Sequence, residues 1–370
     1  MKYCSRCVMP DTKPGVILDE NGLCNACRNV TRKKATDWEK RKNDLLELCE
    51  TIKKKTKDNQ YDCIVAVSGG KDSTFQAWYM KEICKMRVLA VCIVPHLRTR
   101  EGIENLNNMI TELGVDTLTI TLKPSTYRYL RKKSFEDLGE PNFIEHTSLF
   151  AGVSRIAHNY KIPLTVWGED ISFEFGGRLE KKDGSAEDIM SSDVIKDRTI
   201  TRWYNDDTVK KEYTYWYHRP PSAEMDKFKL TSIYLGYYVW WDGYKNYLKA
   251  KEVAKFQPRA KGPLSANILD YDNIDEKLCE INIWLKFLKF GLGRVIDGCC
   301  YHIWNGRMTR EEAVKKVKAL QYEFPIEHFQ DFLDFHQLTQ EEFWAVAEKF
   351  RNLDIWTKTD GRWRLTYPIE

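Results

Sequence analysis

A short loop rich in glycine and hydroxyl side chains constrains this chain more than any other stretch of its sequence. The loop directly follows the apolar run at 64–67, and a helical pattern at 75–86 follows it. Its members are Ser68, Gly69, Gly70, Lys71, Asp72, Ser73 and Thr74. Adjacent glycines let the backbone turn sharply and leave N–H groups open, and open amides at a helix N-terminus bind anions. The sequence therefore predicts a buried parallel strand, a phosphate-binding loop and a helix.

The acidic residue of this loop indicates which anion it binds. Asp72 would repel a bare phosphate unless a divalent cation lay between them, so a magnesium-bound nucleotide fits best. The residue order differs from a Walker loop, in which lysine follows a Gly-x-x-x-x-Gly spacing. Ser68-Gly69-Gly70-x-Asp72-Ser73 instead resembles the signature of the PP-loop ATP pyrophosphatases, which bind the pyrophosphate of ATP and release it as they adenylate a substrate oxygen. The alternative is a plain serine-glycine turn ahead of a helix.

Two pairs of cysteines near the N-terminus predict a metal site. Cys4 and Cys7 form the first Cys-x-x-Cys knuckle, and Cys24 and Cys27 form the second. Each knuckle places two thiolates on one side of a tetrahedral zinc ion, and four cysteine ligands leave no open position, which is typical of a structural site. We therefore expect zinc to fold this N-terminus and to take no part in chemistry. An iron–sulfur cluster and four unrelated thiols are the alternatives.

Strand and helix patterns that alternate after the loop predict the fold class. The predicted strands are 87–94, 116–122 and 163–167, and the predicted helices are 100–113, 124–138, 151–160, 273–289, a helical stretch from 230 onward and a helical tail from 325. This alternation favours an α/β fold with a doubly wound parallel sheet, in which ligands bind at the carboxyl ends of the strands. Ile93, at the end of the second strand, is a candidate to cover adenine, although apolar strand ends more often belong to the core.

A second polar cluster follows the predicted strand at 163–167. Gly168 and Glu169 lie at the same edge of the predicted sheet as the loop, and Glu174 comes shortly after them. Carboxylates beside a phosphate loop can hold magnesium through oxygen ligands. Glu169 and Asp72 are therefore the predicted magnesium pair, and a solvated acidic loop is the alternative.

Composition and charge limit the classes of partner and compartment. The chain has 370 residues and a net charge of only +4, with basic and acidic residues interleaved, so a nucleic-acid partner is not favoured. No apolar stretch approaches the ~20 residues that a membrane helix needs, and the polar start at Met1 does not resemble a signal peptide. The 11 cysteines are expected to be thiols or metal ligands rather than disulfides, and we expect a cytoplasmic protein.

These patterns divide the chain into five regions. They are a zinc ribbon at 1–30, a connecting helix at 31–60, a PP-loop ATP-binding core at 61–177, an insertion or lid at 178–230 and a helical substrate and partner region at 231–370. Aromatic residues of the insertion, including Trp203 and Tyr217, either stack on a base or anchor the insertion. In the last region, two glycines around Arg294 and Asp297 indicate backbone close to a ligand, with Arg294 for an anion and Asp297 for a donor group.

Taken together, these motifs resemble the N-acetyl sugar amidotransferase family over nearly the whole chain. The resemblance rests on Cys4, Cys7, Cys24, Cys27 and the stretches 68–74, 168–170, 174–177, 234–243, 289–297 and 306–312. It implies acetamidino-sugar formation in lipopolysaccharide O-antigen, pseudaminic acid and legionaminic acid pathways, in which ATP activates the oxygen of a sugar N-acetyl group and ammonia displaces AMP. It also implies a nucleotide-sugar substrate and partners that resemble the glutaminase and cyclase subunits of imidazole glycerol phosphate synthase, as the ammonia source.

The resemblance and the chemistry of the residues together suggest a set of roles. The candidate catalytic residues are Lys71, Asp72, Glu169, Glu174 and Asp297, and the candidate nucleotide-binding residues are the loop at 68–74, Ile93, Gly168 and Arg294. Two other functions are compatible with the loop. One is a tRNA-thiolating PP-loop enzyme, which is disfavoured because no cysteine stands between Cys92 and Cys279. The other is a non-catalytic nucleotide-binding protein of a glycan pathway.

Overall fold

Five parallel strands form the sheet at the centre of the structure, a computed structural model that describes residues 1–177, 183–187, 199–205 and 207–370. The strands are β1 (Cys63–Ala66), β2 (Val88–Ile93), β3 (Asp116–Ile120), β4 (Leu164–Trp167) and β5 (Thr231–Tyr234). Their order across the sheet is β3-β2-β1-β4-β5, and each neighbouring pair is parallel. The predicted α/β fold with a doubly wound parallel sheet is thus confirmed.

Helices cover both faces of this sheet and build most of the C-terminal region. In the described part of the chain they are α1 (Asn25–Ala35), α2 (Trp38–Lys55), α3 (Lys71–Trp78), α4 (Arg100–Leu113), α5 (Pro124–Leu138), α6 (Phe143–Tyr160), α7 (Ile171–Phe175), α8 (Ser222–Phe228), α9 (Leu235–Tyr238), α10 (Gly243–Ala254), α11 (Cys279–Phe290), α12 (Arg294–Trp304), α13 (Arg310–Leu320), α14 (Phe329–His336) and α15 (Gln340–Lys349). A hairpin of β6 (Trp356–Thr359) and β7 (Arg362–Leu365) follows them. None of the helices within the described ranges combines the length and the apolar character needed to cross a membrane.

The central strands are apolar because both faces of the sheet are covered. β2 and β4 are buried at every position, and parallel strands between two helical layers are near-continuous apolar runs. On one face, α2 and α4 contribute buried residues such as Leu45 and Leu106. On the other face, α5 and α6 contribute residues such as Tyr127 and Ile156.

The direction of winding reverses between β1 and β4. From β1 the chain passes through α3 to β2 and on to β3, and it then returns to form β4 on the opposite side of β1. In an open α/β sheet, ligands bind outside the carboxyl ends of the strands at such a switch point. The loop after β1 and the segment after β4 both begin there.

Three parts of the region that was predicted to be helical are not helices. Residues 231–234 form the edge strand β5, and residues 356–365 form the hairpin. Residues 273–278 are irregular and are held by tertiary contacts: the Thr99 N–H donates to the Asp275 carbonyl at 3.3 Å, and the Lys277 N–H donates to the Leu97 carbonyl at 2.9 Å. Apolar content alone does not separate short buried strands from helices, and it does not reveal such contacts.

The described parts of the predicted insertion pack on the sheet domain through their aromatic side chains. Trp203 and Tyr217 are buried in the apolar cluster that α5 and α6 build. The Tyr213 ring lies 3.2 Å from the Lys123 Nζ, measured from the ring centroid. These aromatic residues anchor the segment, and the rest of the predicted lid, at 178–182, 188–198 and 206, lies outside the described residues.

The N-terminal cysteine region packs against the C-terminal helices. Its buried residues share one apolar cluster with Ile296 of α12 and Val317 of α13. The Arg310 Nε also donates to the Cys4 carbonyl at 3.4 Å. The predicted single connecting helix is two helices, α1 and α2, and α1 begins inside the cysteine region because the Cys24 side chain caps it.

Replacing Phe135 tests the packing of the C-terminal helices on α5. The Phe135 ring is fully buried, stacks on Phe343 with 5.4 Å between ring centroids and meets Phe332 edge-on at 5.3 Å. We expect Phe135→Ala to lower the free energy of unfolding by about 3–5 kcal/mol because it leaves a cavity. Urea denaturation measures this loss. The control is Tyr160→Ala, which removes an exposed ring and should change stability by no more than about 0.5 kcal/mol; equal losses would contradict the packing.

Candidate functional site

The loop between β1 and α3 has a backbone conformation that requires glycine at one position. Gly69 has a φ of +97°, in the left-handed region that glycine adopts without a steric penalty. A Cβ built on Gly69 would lie 2.3 Å from the backbone carbonyl oxygen of Gly102 in α4. The loop therefore rests directly on the α4 backbone.

The amides in the first turn of α3 have no side-chain cap among the described residues. Gly70 occupies the N-cap position without a side-chain hydrogen bond among the described residues, whereas Thr99 and Thr309 cap α4 and α13. The Ser73 and Thr74 hydroxyls donate hydrogen bonds to the Gly70 carbonyl at 3.1 and 3.0 Å, so both side chains fold back onto the N-terminal end of α3. Uncapped first-turn amides are suited to holding an anion such as a phosphate group.

Lys71 is buried between two carboxylates from distant parts of the chain. Its Nζ lies 2.5 Å from Asp72 and 2.5 Å from Asp272. Burial acts to lower the pKa of Lys71, but Asp272 and Asp72 outweigh it and hold that pKa above its ordinary value. The Arg294 guanidinium pairs with the same Asp272. Burial acts to raise the pKa of Asp272, yet Lys71 and Arg294 hold it well below its usual range.

Two carboxylates that were predicted to bind magnesium lie beside this lysine. Asp72 accepts a hydrogen bond from the Asn246 side-chain amide at 2.8 Å. Burial and the nearby Asp72 carboxylate raise the pKa of Glu169 to about 8, so the two carboxylates are close enough to repel. Such a pair suits a divalent cation, which binds oxygen ligands and relieves the repulsion. A Cβ on Gly168 would lie 2.9 Å from the Gln76 Nε2, so the backbone before Glu169 passes directly against α3.

The irregular segment before α11 contacts the loop. Asp272 of this segment pairs with Lys71, and burial raises the pKa of the neighbouring Asp275 carboxyl, although Ser68 opposes that rise. A Cβ built on Gly102 would lie 2.5 Å from the Asp275 Cα. The sequence prediction missed Asp275 because it placed that residue in a helix at 273–289, and it assigned no role to Asp272 just before that helix. The available signal was the density of Asp and Asn at 270–275, which is typical of turns.

A further ion pair orders the start of α10 next to the loop lysine. Asp242 caps α10 and accepts hydrogen bonds from the two Nη atoms of Arg307 at 2.8 and 3.0 Å and from the Tyr301 hydroxyl at 3.1 Å. The Tyr301 hydroxyl accepts from the Gly243 N–H in turn. A Cβ on Gly243 would lie 3.1 Å from the Lys71 Cε. The backbone at 242–243 is thus one wall of the candidate site.

Glu174 lies at the far end of α7 from Glu169 and pairs with the N-terminal region. Both of its carboxylate oxygens accept from the Lys33 Nζ at 2.7 Å. Lys33 belongs to α1, which begins at the cysteine knuckles. Burial raises the pKa of Glu174, and Lys33 opposes that rise. The predicted role of Glu174 toward the sugar substrate stays a prediction.

Asp297 and Ile93 lie in other surroundings. Burial raises the pKa of Asp297, and the nearby Lys13 and Arg294 cations oppose that rise. Asp297 is therefore near the cysteine region and near the ion pairs that join Lys71, Asp272 and Arg294. The Ile93 side chain is buried, and a Cβ on Gly152 of α6 would lie 2.8 Å from its Cδ1. Ile93 therefore packs on α6, and the predicted roles of both residues stay predictions.

The four N-terminal cysteines form a cluster of the right size for zinc. The Sγ atoms of Cys4 and Cys27 are 3.7 Å apart, as are those of Cys7 and Cys24, and all four lie within 4.8 Å of one another. A tetrahedral ion with Zn–S bonds of about 2.3 Å places its sulfur ligands roughly 3.8 Å apart. All four thiols are buried. The cluster therefore fits the predicted structural site.

Comparison with known families assigns a domain type to each half of the chain. Residues 45–153 match NAD synthase, and residues 244–369 match the family described as LPS biosynthesis protein WbpG-like, C-terminal domain. The first match contains the loop, and the second contains Asp272, Arg294 and Arg307. The chain thus combines a segment similar to NAD synthase, of the PP-loop type, with a segment similar to the WbpG-like C-terminal domain. This combination confirms the resemblance drawn from the sequence motifs.

Individual relatives are similar to part of the chain. An uncharacterized protein of Methanocaldococcus jannaschii is 31% identical over 118 residues, which is 32% of this chain and 42% of that protein. The NH3-dependent NAD synthetase of Campylobacter jejuni is 17% identical with a TM-score of 0.29, over 37% of this chain and 58% of that one. The NMN synthetase of Francisella tularensis is 15% identical with a TM-score of 0.28, over 35% and 54%. The chain thus spans less than half of the curated relative and somewhat more than half of each solved chain.

Gly69→Ala tests whether the loop conformation is required for nucleotide binding. The added Cβ must displace the Gly102 carbonyl, so we expect the affinity for ATP with magnesium to fall about tenfold or more, measured by calorimetry. Gly262→Ala is the matched control, because Gly262 also has a positive φ, +81°, but nothing lies within 4 Å of its added Cβ. It should keep the wild-type affinity. Equal losses in the two variants would contradict the role of the contact with α4.

Metal analysis tests the cysteine cluster. We expect about one zinc per chain in the wild type and none in Cys24→Ser, because a structural site needs all four ligands. A chelator should also lower the melting temperature, since the metal folds the region that packs on α12. Cys49→Ser is the control, because Cys49 is buried in the apolar cluster of the sheet instead. Iron in place of zinc would contradict the prediction.

Proposed function

We propose that this chain is an ATP-dependent amidotransferase that adenylates the N-acetyl amide oxygen of a nucleotide-activated sugar and replaces it with ammonia, giving an acetamidino sugar, AMP and pyrophosphate. The observation that carries the proposal is the ion pair between Lys71 and Asp272. It joins the loop of the NAD synthase-like domain to the WbpG-like domain. The second family is named for LPS biosynthesis, which supports a sugar substrate.

The reaction consists of two displacements. In the first, the amide oxygen attacks the α-phosphorus of ATP, an O–P bond forms, and the bond to pyrophosphate breaks. In the second, ammonia attacks the activated carbon, a C–N bond forms, the oxygen leaves with AMP, and the nitrogen loses a proton. An amide oxygen is a poor nucleophile, so the site must align it with the α-phosphorus and neutralise the leaving pyrophosphate.

Residues of the loop can meet both requirements. The uncapped amides of α3 and the Lys71 ammonium would hold the pyrophosphate, and Asp72 and Glu169 would hold magnesium. When bound, that ion neutralises phosphate charge. Arg294 acts through another residue rather than on an anion: its guanidinium pairs with Asp272, which holds Lys71 in place.

The WbpG-like domain is the proposed sugar-binding part of the chain, since Asp272, in its segment before α11, pairs with Lys71 of the loop. The nucleotide group attached to the sugar would keep the sugar near the switch point of the sheet. We propose that the ammonia comes from partners that resemble the glutaminase and cyclase subunits of imidazole glycerol phosphate synthase. In vitro, an ammonium salt should replace these partners as the source of ammonia.

Mass spectrometry tests the proposed function. A nucleotide sugar that carries an N-acetyl group is incubated with the protein, ATP, magnesium and an ammonium salt. We expect a product lighter by the difference between oxygen and NH, together with AMP and pyrophosphate. ATP binding without pyrophosphate release would instead indicate a non-catalytic protein. ATP turnover that needs tRNA, with salt-sensitive tRNA binding, would indicate a tRNA-modifying enzyme.

Lys71→Met tests the role of the loop lysine. The methionine keeps most of the alkyl stem but removes the charge that faces the leaving pyrophosphate, so we expect kcat for AMP release to fall about 10²-fold or more. Lys85→Met is the control, because the Lys85 side chain is 70% exposed. Circular dichroism checks that both variants fold. Wild-type kcat in folded Lys71→Met would contradict the assignment.

A further inference from the structure

The Lys33 ammonium group fills a cage built from two other parts of the chain. Its Nζ lies 2.7 Å from Oε1 and 2.7 Å from Oε2 of Glu174, and 2.6 Å from the carbonyl oxygen of Trp241. The Trp240 ring covers a further side, with its centroid 5.3 Å from the Nζ. The Lys33 and Glu174 side chains are only 7% and 9% exposed. Below, "the cage" means the Glu174 carboxylate, the Trp241 carbonyl and the Trp240 ring.

The cage has the chemistry of an ammonium site. A primary ammonium group has three N–H donors and one positive charge. The cage offers carboxylate oxygens, a carbonyl oxygen and an aromatic face, and each of these attracts such a cation. Methylammonium has the same three N–H donors and charge as the end of a lysine, and free ammonium has the same charge and one N–H donor more. A cage that holds the Lys33 ammonium therefore also suits the free ion once the lysine moves aside.

The cage opens into a recess and neighbours the candidate active site. Lys33, Glu174 and Trp240 line the recess together with Ala26, Asn29, Val30, Phe173, Trp304 and Asn305. Toward the active site, Glu174 belongs to the short helix that follows Glu169, and its charge affects that residue. Trp241 directly precedes Asp242 and Gly243, which form the wall beside Lys71.

We propose that the cage binds ammonium on its way to the adenylated amide, and that Lys33 fills the cage until ammonium displaces it. The proposal rests on the proposed function, because an amidotransferase must bring nitrogen to its activated carbon. Ammonium becomes a nucleophile only when it loses a proton. The Glu174 carboxylate is in contact with the ion and takes that proton, which leaves ammonia and a carboxylic acid.

A thermal measurement tests the site without any enzymatic reaction. Lys33→Ala leaves Glu174 as a buried carboxylate without its cation, so the melting temperature falls. Ammonium or methylammonium chloride should raise the melting temperature of this variant by several degrees over equal sodium or tetramethylammonium chloride. Lys33→Met, which keeps the alkyl stem, serves if Lys33→Ala does not fold.

Two comparison proteins set the baseline for this measurement. In the wild type ammonium must displace Lys33, so its ammonium-specific rise should be smaller than that of Lys33→Ala. The Lys33→Ala/Glu174→Ala double variant has no carboxylate and should show no such rise. The absence of such a rise in both Lys33→Ala and Lys33→Met, or an equal rise in the double variant, would overturn the site.

Kinetics with ammonium salt test the role of the site. We expect Lys33→Ala to lower the KM for ammonium because the lysine no longer competes, and Glu174→Gln to raise it about tenfold because a charge-assisted contact is lost. The KM for ATP should not change. Lys289→Ala is a matched control, since the Lys289 Nζ also faces a carboxylate, Glu140 at 3.5 Å, a carbonyl, Leu138 at 2.7 Å, and the ring of Phe350.

The two measurements separate the failure of this inference from the failure of the proposed function. Unchanged KM values for ammonium in Lys33→Ala and Glu174→Gln would overturn the route, as would equal changes in Lys289→Ala. If the wild type makes no acetamidino product, the proposed function fails, and the thermal measurement alone decides whether the cage is an ammonium site.

Discussion

The candidate site depends on one buried lysine that carboxylates from both halves of the chain hold in place. Taking the Lys71 ammonium out of water is costly unless partners compensate, and Asp72 and Asp272 do so at 2.5 Å each. Asp272 is fixed in turn by Arg294 at the start of α12. The geometry of the loop at 68–74 is therefore coupled to the C-terminal region through these ion pairs.

The N-terminal cysteine region extends this coupling. It packs on α12 and α13, and the helix that starts at Cys24 carries Lys33 to Glu174. A metal ion held by the four cysteines would thus influence the site, because Cys24 caps α1.

Much of the architecture could be predicted from the sequence because its signals are local. The loop at 68–74, the bounds of α4 and α5, the parallel sheet and the cysteine knuckles each depend on a short run of residues whose chemistry admits few conformations. Asp272 and Asp275 could not be found in this way. Asp272 pairs with Lys71, 201 positions earlier in the chain, and the Asp275 backbone lies against Gly102 of α4. Residue spacing does not encode such contacts.

The sequence by itself determined the fold class, the phosphate loop and the cysteine cluster, because glycine pairs, apolar runs and Cys-x-x-Cys spacings act over a few residues. Only the tertiary structure decided which charges meet. It pairs Arg294 with Asp272 instead of leaving it for an anion, and it seats Lys33 against Glu174. The physical reason is that a buried charge must find a partner of opposite sign, and the folded chain alone determines which partner lies within reach.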